Sequence, residues 1–205
     1  NALSNAATQS ALNGHLIKLA GDSTVNFTDD LLKLLNQPAF ELDGHKLTIV
    51  NNLAVNQFKL LVNSTAIAFG KQGAQLVTNV VDQTANLKTL SVSQVEIAKT
   101  VKLAGDETLS VSDAKSFASF LEQTDTGHNA LASRLDADGH SLKVNAGFND
   151  ANGINDIAEL TQLLNSLDGH PEIASILLSG GISLGDGQGG DVIQITANSQ
   201  VPWFD

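Results

Sequence analysis

Five aspartates occupy comparable turn positions along the chain, and their carboxylates could together bind a divalent cation. If the turns of paired strands lie roughly 5 Å apart, these carboxylates repel one another, and a hard cation with oxygen ligands relieves the repulsion. Aspartate beside glycine is also an ordinary turn pair that needs no ligand. The pattern therefore predicts either a calcium-binding edge or a row of plain turns. The residues are Asp22, Asp43, Asp106, Asp138 and Asp186.

A second candidate calcium site is the polar segment from Asn149 to Asp156. Asp150 and Asn152 alternate ahead of a glycine and an apolar-periodic helix, as they do in a dockerin or EF-hand loop. The segment is about two residues shorter than that loop, and Phe148 stands at its first ligand position. A capped helix after a polar loop explains the same residues. Asp150 and Asn152 are candidate metal ligands on this basis.

The histidines form a third candidate set, because neutral imidazole is the commonest side-chain ligand of transition metals and also binds haem. No two of them show the i, i+4 spacing of a helical metal site. A polar residue that opens a strand after a glycine turn accounts for the same positions. All five follow a glycine: His15, His45, His128, His140 and His170.

The sequence offers little for catalysis. It has neither a P-loop nor an H-E-x-x-H motif. Asp156 and Glu159 could share one face of a helix, and paired carboxylates are what a glycosidase needs. Exposed helix charges explain that pair equally well. We therefore predict that the chain is not an enzyme and has no catalytic residues.

Composition excludes several classes of function. The net charge of −11 over 205 residues disfavours binding to nucleic acid and to anionic membranes. The chain has no cysteine, so a disulfide, a thiolate zinc site and a cysteine nucleophile are ruled out. No apolar run approaches the 18 residues of a membrane span. We expect no nucleic-acid partner and no membrane span.

The elements that must position these residues repeat about every 20 residues along the chain, which is the signature of stacked repeats. Each repeat carries an apolar residue, a polar one and another apolar one. We expect both apolar members to lie on one face of a strand and to face a common core. The pairs are Val25/Phe27, Leu47/Ile49, Ile67/Phe69, Leu90/Val92, Leu109/Val111, Leu142/Val144 and Ile182/Leu184.

Residues 16–36 and 101–123 show the repeat most clearly, as strand, turn, strand and helix. Thr28 or Asp29 can cap the first helix and Ser112 the second. The second helix should bury a face of Ala114, Phe117, Ala118 and Leu121, which lie at helical spacing. The last repeat instead has strands at Ile176–Leu178 and Ile182–Leu184 without a helix, followed by another strand.

The predicted fold is therefore α/β: a right-handed β–α solenoid built from repeats of about 20 residues. We expect one repeat domain over residues 1–205. Residues 1–14 form a helical cap, 15–185 the repeats, and 186–205 a terminal strand and tail.

The runs TLSVSQVEIAKTV, GDETLSVSDAKSFASFL and EIASILLSGG resemble short β–α repeats found in tandem in very large exported bacterial proteins. Such repeats often stand beside adhesin-like or calcium-binding repeat regions. The resemblance implies a structural or surface-presentation role and a location outside the cell or at its surface. It carries over no catalytic residues.

The sequence thus predicts a non-enzymatic structural or adhesive repeat segment, which could assemble into a layer or filament. One alternative is a calcium- or metal-dependent binding module that uses the acidic turns or the histidines. A second alternative is a polysaccharide-active enzyme. Trp203 and Phe204 lie beyond the last strand, so we expect them to contact another copy or a neighbouring module of a longer chain. Alternatively, this tail folds back and caps its own domain.

Overall fold

The computed structural model describes residues 15–37, 39–68, 75–146 and 156–184. The chain divides into two compact units. Unit 1 comprises Asn1–Asp82 and Ser93–Val101, and unit 2 comprises Gln83–Val92 and Lys102–Asp205. The described part is α/β with four small parallel sheets, which confirms the predicted class. The predicted N-terminal cap, Phe69 and the tail 186–205 lie outside the described residues.

Unit 1 alternates short strands with helices. Strands β1 (Ile17–Lys18) and β3 (Phe40–Glu41) pair in parallel. A second sheet has the order β2-β4-β5, in which β2 is Ser23–Val25, β4 is Lys46–Ile49 and β5 is Gln75–Val77. Within that sheet, Leu47 lies opposite Ser23 on one side and Leu76 on the other. The elements of unit 1 are β1 (Ile17–Lys18), β2 (Ser23–Val25), α1 (Asp29–Leu35), β3 (Phe40–Glu41), β4 (Lys46–Ile49), α2 (Val55–Val62), α3 (Thr65–Ala68), β5 (Gln75–Val77) and β6 (Asn79–Asp82).

Local sequence explains these elements. In β4 the alternation of polar and apolar residues buries Leu47 and Ile49. Helix α1 starts after Thr28, whose hydroxyl accepts a hydrogen bond from the backbone N–H of Leu31, so the predicted cap is confirmed. Apolar residues at helical spacing on α2, including the fully buried Phe58, face the core of unit 1.

Unit 2 is built on a sheet with the order β11 (Ile182–Leu184), β10 (Leu142–Ala146) and β8 (Glu107–Ser110), and all of its strands are parallel. Helix α6 buries the predicted face of Ala114, Phe117, Ala118 and Leu121. Its cap is Ser110 rather than the predicted Ser112. The elements of unit 2 are α4 (Thr84–Leu87), β8 (Glu107–Ser110), α6 (Val111–Leu121), a 3-10 helix (Leu131–Arg134), β9 (Leu135–Asp136), β10 (Leu142–Ala146), α7 (Asp156–Ser166), α8 (Pro171–Leu177) and β11 (Ile182–Leu184).

Two further elements each contain a boundary between the units. Helix α5 (Val92–Ile97) contains the boundary after Val92, and strand β7 (Thr100–Leu103) contains the one after Val101.

Six of the fourteen predicted strand anchors are strand residues with buried side chains: Leu47, Ile49, Leu109, Leu142, Val144 and Ile182. Val25 and Leu184 also lie in strands, and Phe27 lies in the loop before α1. The prediction is therefore wrong for Phe27, and it is wrong for four others. Ile67 lies in α3, Leu90 precedes α5, Val92 begins α5 and Val111 begins α6. An apolar pair two residues apart also occurs where a strand ends and a helix begins, as at Leu109 and Val111.

The predicted strand Ile176–Leu178 is also wrong, because most of this segment belongs to α8. Pro171 occupies the first turn of that helix, where its missing N–H costs nothing. Ile173 and Leu177, four residues apart, are both fully buried, which is helical rather than strand periodicity.

Candidate functional site

The acidic turns fall into two clusters, one in each unit, with the same construction. Turn cluster 1, in unit 1, consists of Lys18, Asp22, Asp43, His45 and Lys46. Turn cluster 2, in unit 2, consists of Lys102, Asp106, Asp136, Asp138, His140 and Ser141.

In turn cluster 1 the chain reverses between β3 and β4 through a tight turn. Asp43 has φ 52° and Gly44 has φ 82°, and the backbone N–H of His45 donates to the carbonyl of Leu42 at 3.0 Å. Two consecutive positive φ values define a type I′ turn, which aspartate tolerates and glycine adopts freely. The Asp-Gly pair is therefore required here by backbone geometry.

Turn cluster 2 repeats that turn between β9 and β10. Asp138 has φ 54° and Gly139 has φ 83°, and the backbone N–H of His140 donates to the carbonyl of Ala137 at 2.9 Å. The φ values agree within a few degrees, so the two turns have the same type I′ conformation.

The second aspartate of turn cluster 1 joins the turn to the preceding repeat. The Asp22 carboxylate accepts the backbone N–H of Lys46 at 2.8 Å and lies 3.8 Å from Nδ1 of His45. Asp43 pairs instead with Lys18, whose Nζ lies 2.9 Å from Oδ1. The hydrogen bond and the charge of Asp43 raise the pKa of Lys18.

Asp106 has the same role in turn cluster 2. Its carboxylate accepts the backbone N–H of Ser141 at 2.8 Å and lies 3.5 Å from Nδ1 of His140. The Ser141 N–H is the main cause of a pKa of Asp106 below the usual value, and the nearby imidazole adds to it. The carboxylate is thus a fixed acceptor for the neighbouring repeat.

Lys102 corresponds to Lys18 but has two carboxylate partners. Its Nζ lies 2.9 Å from Asp138 and 3.2 Å from Asp136, and hydrogen bonds to both raise its pKa. The pKa of Asp136 is lowered, first by the backbone N–H of Asp138 and then by Lys102. Lys102 thus pairs with two of the three carboxylates of this cluster.

Four of the seven predicted metal ligands, Asp22, Asp43, Asp106 and Asp138, lie in these clusters, two in each. In each cluster one carboxylate accepts a backbone N–H and the other pairs with a lysine. Within the described ranges no group of three or more histidine, aspartate or glutamate side chains is placed to hold a metal ion. Asp150, Asn152 and Asp186 lie outside those ranges, and calcium binding stays a prediction.

The histidines of the described ranges form no group that could hold a metal ion. His45 and His140 belong to different clusters. His128 is exposed with φ 63°, and His170 is at the N-cap position of α8, without a side-chain capping hydrogen bond and with Nδ1 3.9 Å from Glu172. These four histidines lie at turns or at a helix start.

Sequence reasoning missed a set of side chains that complete helix starts in the preceding repeat. Each accepts a backbone N–H at, or just before, the first residue of a helix, where the chain itself offers no acceptor. The sequence separation of roughly one repeat is the signal that could have found them. The acceptor and donor pairs are Asn51 with Phe27 at 2.7 Å, Asp82 with Val55 at 2.9 Å and Glu107 with Thr84 at 2.9 Å.

A buried carboxylate organises the loop between α6 and β9. The Asp125 side chain is 1% exposed and lies 2.9 Å from Nη2 of Arg134. It also accepts the backbone N–H groups of Gly127 and Asn129, both at 2.9 Å. The Asn129 N–H is the main cause of a lowered pKa of Asp125, and Arg134 is the next. With its oxygens occupied in this way, Asp125 is a structural anchor.

Two features of the sequence could suggest hydrolysis. Residues 181–185 read G-I-S-L-G, the letters of a nucleophile elbow. Ser183 lies inside β11 opposite Asn145, whereas an elbow places its serine at a turn between strand and helix. Asp156 and Glu159 lie on α7, as predicted from their spacing.

Comparison with known proteins adds no assignment. No family model, curated protein or solved structure matches the chain. No helix in the part of the chain that the structure describes is long and apolar enough to cross a membrane. The functional argument therefore depends on the two turn clusters and the helix-start acceptors.

Proposed function

We propose that the chain is a non-enzymatic structural repeat segment of an exported bacterial surface protein, folded as a right-handed β–α solenoid. The observation that carries the proposal is that both turn clusters use their carboxylates to hold the next repeat. Asp22 binds the backbone of Lys46, and Asp106 binds that of Ser141. A carboxylate that already accepts a backbone N–H of the next repeat supports a role in spacing and rigidity rather than in ligand binding.

The strand registers support a repeat that stacks on itself. In unit 1, β2 pairs with β4, and in unit 2, β8 pairs with β10, so each pairing joins equivalent strands of successive repeats. Leu109 lies opposite Val144, and both are buried. Stacked repeats bury in this way the apolar faces that a single repeat leaves exposed.

The helix-start acceptors support the same function. Asp82 and Glu107 each accept a backbone N–H from a helix that begins one repeat earlier. Such a bond forms only when successive repeats are in register, so it specifies their order. Among the described residues, no comparable observation favours the calcium-binding alternative or the polysaccharide-active enzyme.

A partner for the segment is part of the proposal. Trp203 and Phe204, which lie outside the described residues, would contact a second copy or a neighbouring part of a longer chain. Deletion of residues 201–205 tests this. Loss of association in light scattering with an unchanged Tm supports the contact, whereas a lowered Tm with unchanged association shows that the tail caps its own domain.

Replacement of the segment in its source bacterium tests the function itself. Externally added protease should cleave the native segment on intact cells, because we propose a surface location. An unrelated rigid spacer of equal length should then restore surface display and adhesion of the parent protein. Loss of adhesion with that spacer would show that the segment carries a binding site of its own.

A matched variant separates the metal-binding alternative from the structural one. The double substitution His45→Ala and His140→Ala removes both turn imidazoles and leaves the acceptor carboxylates in place. A structural segment should keep normal display and adhesion. Loss of adhesion by this variant, with an unchanged Tm, would favour a ligand site at the turns and would contradict the proposal.

A further inference from the structure

The tripeptide Asp-Gly-His occurs three times in the chain, and the structure describes all three copies. Two of them form the type I′ turns of turn clusters 1 and 2. The third copy, Asp168-Gly169-His170, connects α7 to α8 within unit 2. Because the three copies have the same sequence, a difference in their chemistry would come from the surrounding structure.

An aspartate that precedes glycine can form a cyclic imide, because glycine has no side chain to hinder its backbone nitrogen. The nitrogen attacks Cγ of the aspartate, and the carboxyl hydroxyl leaves with the N–H proton as water. Water then adds to the α-carbonyl carbon of the imide, and the bond from that carbon to the nitrogen breaks. The main chain now runs through Cβ and Cγ, as isoaspartate. Solvent water is the only co-reactant.

The three aspartate side chains differ in their partners. Oδ1 of Asp43 lies 2.9 Å from Nζ of Lys18, and Oδ1 of Asp138 lies 2.9 Å from Nζ of Lys102. Asp168 is exposed, and its carboxylate has neither an ion pair nor a hydrogen bond among the described residues. A carboxylate held by an ammonium group must leave it before Cγ can reach the backbone nitrogen. Asp168 has no such partner to leave.

Backbone geometry separates the third copy from the other two as well. Asp43 and Asp138 have φ values of 52° and 54°, and each of their turns joins two strands. Asp168 does not have a positive φ, and its turn joins two helices. The glycine N–H donates no backbone hydrogen bond within the described residues in any of the three copies, so the attacking nitrogen is equally available. The difference therefore lies in the aspartate.

We propose that Asp168-Gly169 is a site of spontaneous covalent modification, at which Asp168 becomes isoaspartate through the cyclic imide while the chain is folded. Asp43 and Asp138, in the same tripeptide, are protected by their lysines and by their strand-to-strand turns. The proposal does not depend on the structural function proposed above.

The modification acts on the start of α8. The turn is closed by the backbone N–H of His170, which donates to the carbonyl of Leu167 at 3.0 Å. The carbonyl of His170 in turn accepts the N–H groups of Ile173 and Ala174, at 3.1 and 3.0 Å. Isoaspartate adds one carbon to the main chain inside this turn, so the bonds on both sides of it are disturbed.

Peptide mapping of the whole chain, incubated in its folded state, tests the proposal. A glutamate-specific protease releases residues 160–172, and trypsin releases residues 34–46 and 135–143, so each copy lies in its own peptide. Isoaspartate should form in residues 160–172 at least about five-fold faster than in the other two peptides, because an ion pair and a paired turn protect those. Equal rates in the three peptides would overturn the proposal.

The chain unfolded in urea is the control for local sequence. The three copies should then form isoaspartate at similar rates, because the contacts that distinguish them are lost. An excess at Asp168 that persists in urea would overturn the proposal, since flanking sequence and not the fold would then select the site.

Lys18→Gln is the matched variant, because it removes the partner of Asp43 and leaves the residues of unit 2 unchanged. The rate at Asp43 should rise roughly two- to five-fold, which is the protection that an exposed ion pair provides. The rate at Asp168 should not change. An unchanged rate at Asp43 would overturn the protection by lysine on which the proposal depends.

Hydrogen exchange measures the consequence for α8. In the parent chain, the amides of Ile173 and Ala174 should lose protection as isoaspartate accumulates. Asp168→Ala, which cannot form the imide at this position, should keep that protection through the same incubation. Equal loss in both chains would overturn the proposed effect on the helix.

Discussion

Turn clusters 1 and 2 are the same structure with different charges. In both, a type I′ Asp-Gly turn is fixed to the preceding repeat by an aspartate that accepts a backbone N–H. The donor belongs to Lys46 in one and to Ser141 in the other, and Lys18 has one carboxylate partner where Lys102 has two. The backbone bond, the lysine that pairs with the turn aspartate and the histidine beside the acceptor aspartate are thus common to both clusters. The differences are Lys46 in place of Ser141 and the additional Asp136.

The largest effect should come from the buried strand residues that occupy equivalent places in the two units. Leu47 in β4 and Leu142 in β10 are 3% and 0% exposed. Truncation of either to alanine should cost about 2–5 kcal/mol of unfolding free energy, measured by urea denaturation. Leu60→Ala, at a position that is 55% exposed, is the control and should cost far less. A loss of unfolding free energy in only one of the two variants would contradict the equivalence of Leu47 and Leu142.

Substitution of glycine by alanine should be tolerated at the two turn positions and should destabilise the chain where another backbone segment lies close. A Cβ on Gly180 would lie 2.9 Å from the carbonyl oxygen of Leu142, which is backbone and cannot move aside. Gly180→Ala should therefore cost about 1–3 kcal/mol. Gly21 and Gly105, which hold the same place in the two clusters, have no atom within 4 Å of such a Cβ. Their alanine variants should have the Tm of the parent chain, and a large loss at only one would refute the match.

Acid should weaken turn cluster 2 through Asp106. Its pKa is lowered in the folded chain, mainly by the Ser141 N–H. A lowered folded-state pKa contributes stability that is present above the unfolded value, about 3.9, and is lost as pH falls through the folded value. Asp106→Ala should lower the Tm slightly at pH 7, on the order of 2 °C.

The difference in Tm between Asp106→Ala and the parent should shrink as pH falls below about 4, because the parent loses the same interaction. Asp168→Ala, on an exposed turn, controls for removal of one negative charge. A difference that stays constant down to pH 2 would contradict the role given to the Asp106 carboxylate.

Calcium should have the smallest effect. A ligand that binds only the folded chain raises its stability by mass action, by about 2.7 kcal/mol at one hundred times Kd. Under the structural proposal, millimolar calcium and a chelator should give the same Tm. A calcium-dependent rise that Asp22→Ala or Asp106→Ala abolishes would support the metal-binding alternative and would show whether the two clusters differ.

Periodicity predicted the α/β class, the helix start at Thr28 and the buried face of α6, because these depend on neighbours in sequence. It failed at Ile67 and at Ile176–Leu178, because a short apolar pair fits a strand or a helix equally well. At Ile176–Leu178, Pro171 in the first turn and the four-residue spacing of buried residues in α8 favour the helix.

The site was predictable only in part. The Asp-Gly pairs predicted the turns, and the similarity of their sequences indicated that the two turns are equivalent. The partners of Asp22, Glu107 and Asp125 were not predicted, since each depends on register or on loop geometry that appears only when the repeats are stacked. The carboxylates looked available in the sequence because their donors lie up to 35 residues away, as for Asp106 and Ser141.

The acceptors that complete helix starts also constrain how such a chain can grow. Asp82 serves a helix that begins at Val55, and Glu107 serves one that begins at Thr84. The stretch from Val55 to Asp82 contains both a helix start and the acceptor that completes it, and so does the stretch from Thr84 to Glu107. Duplications and deletions that preserve folding should therefore have their boundaries just after an acceptor, so that each inherited stretch keeps a helix together with the residue that completes it.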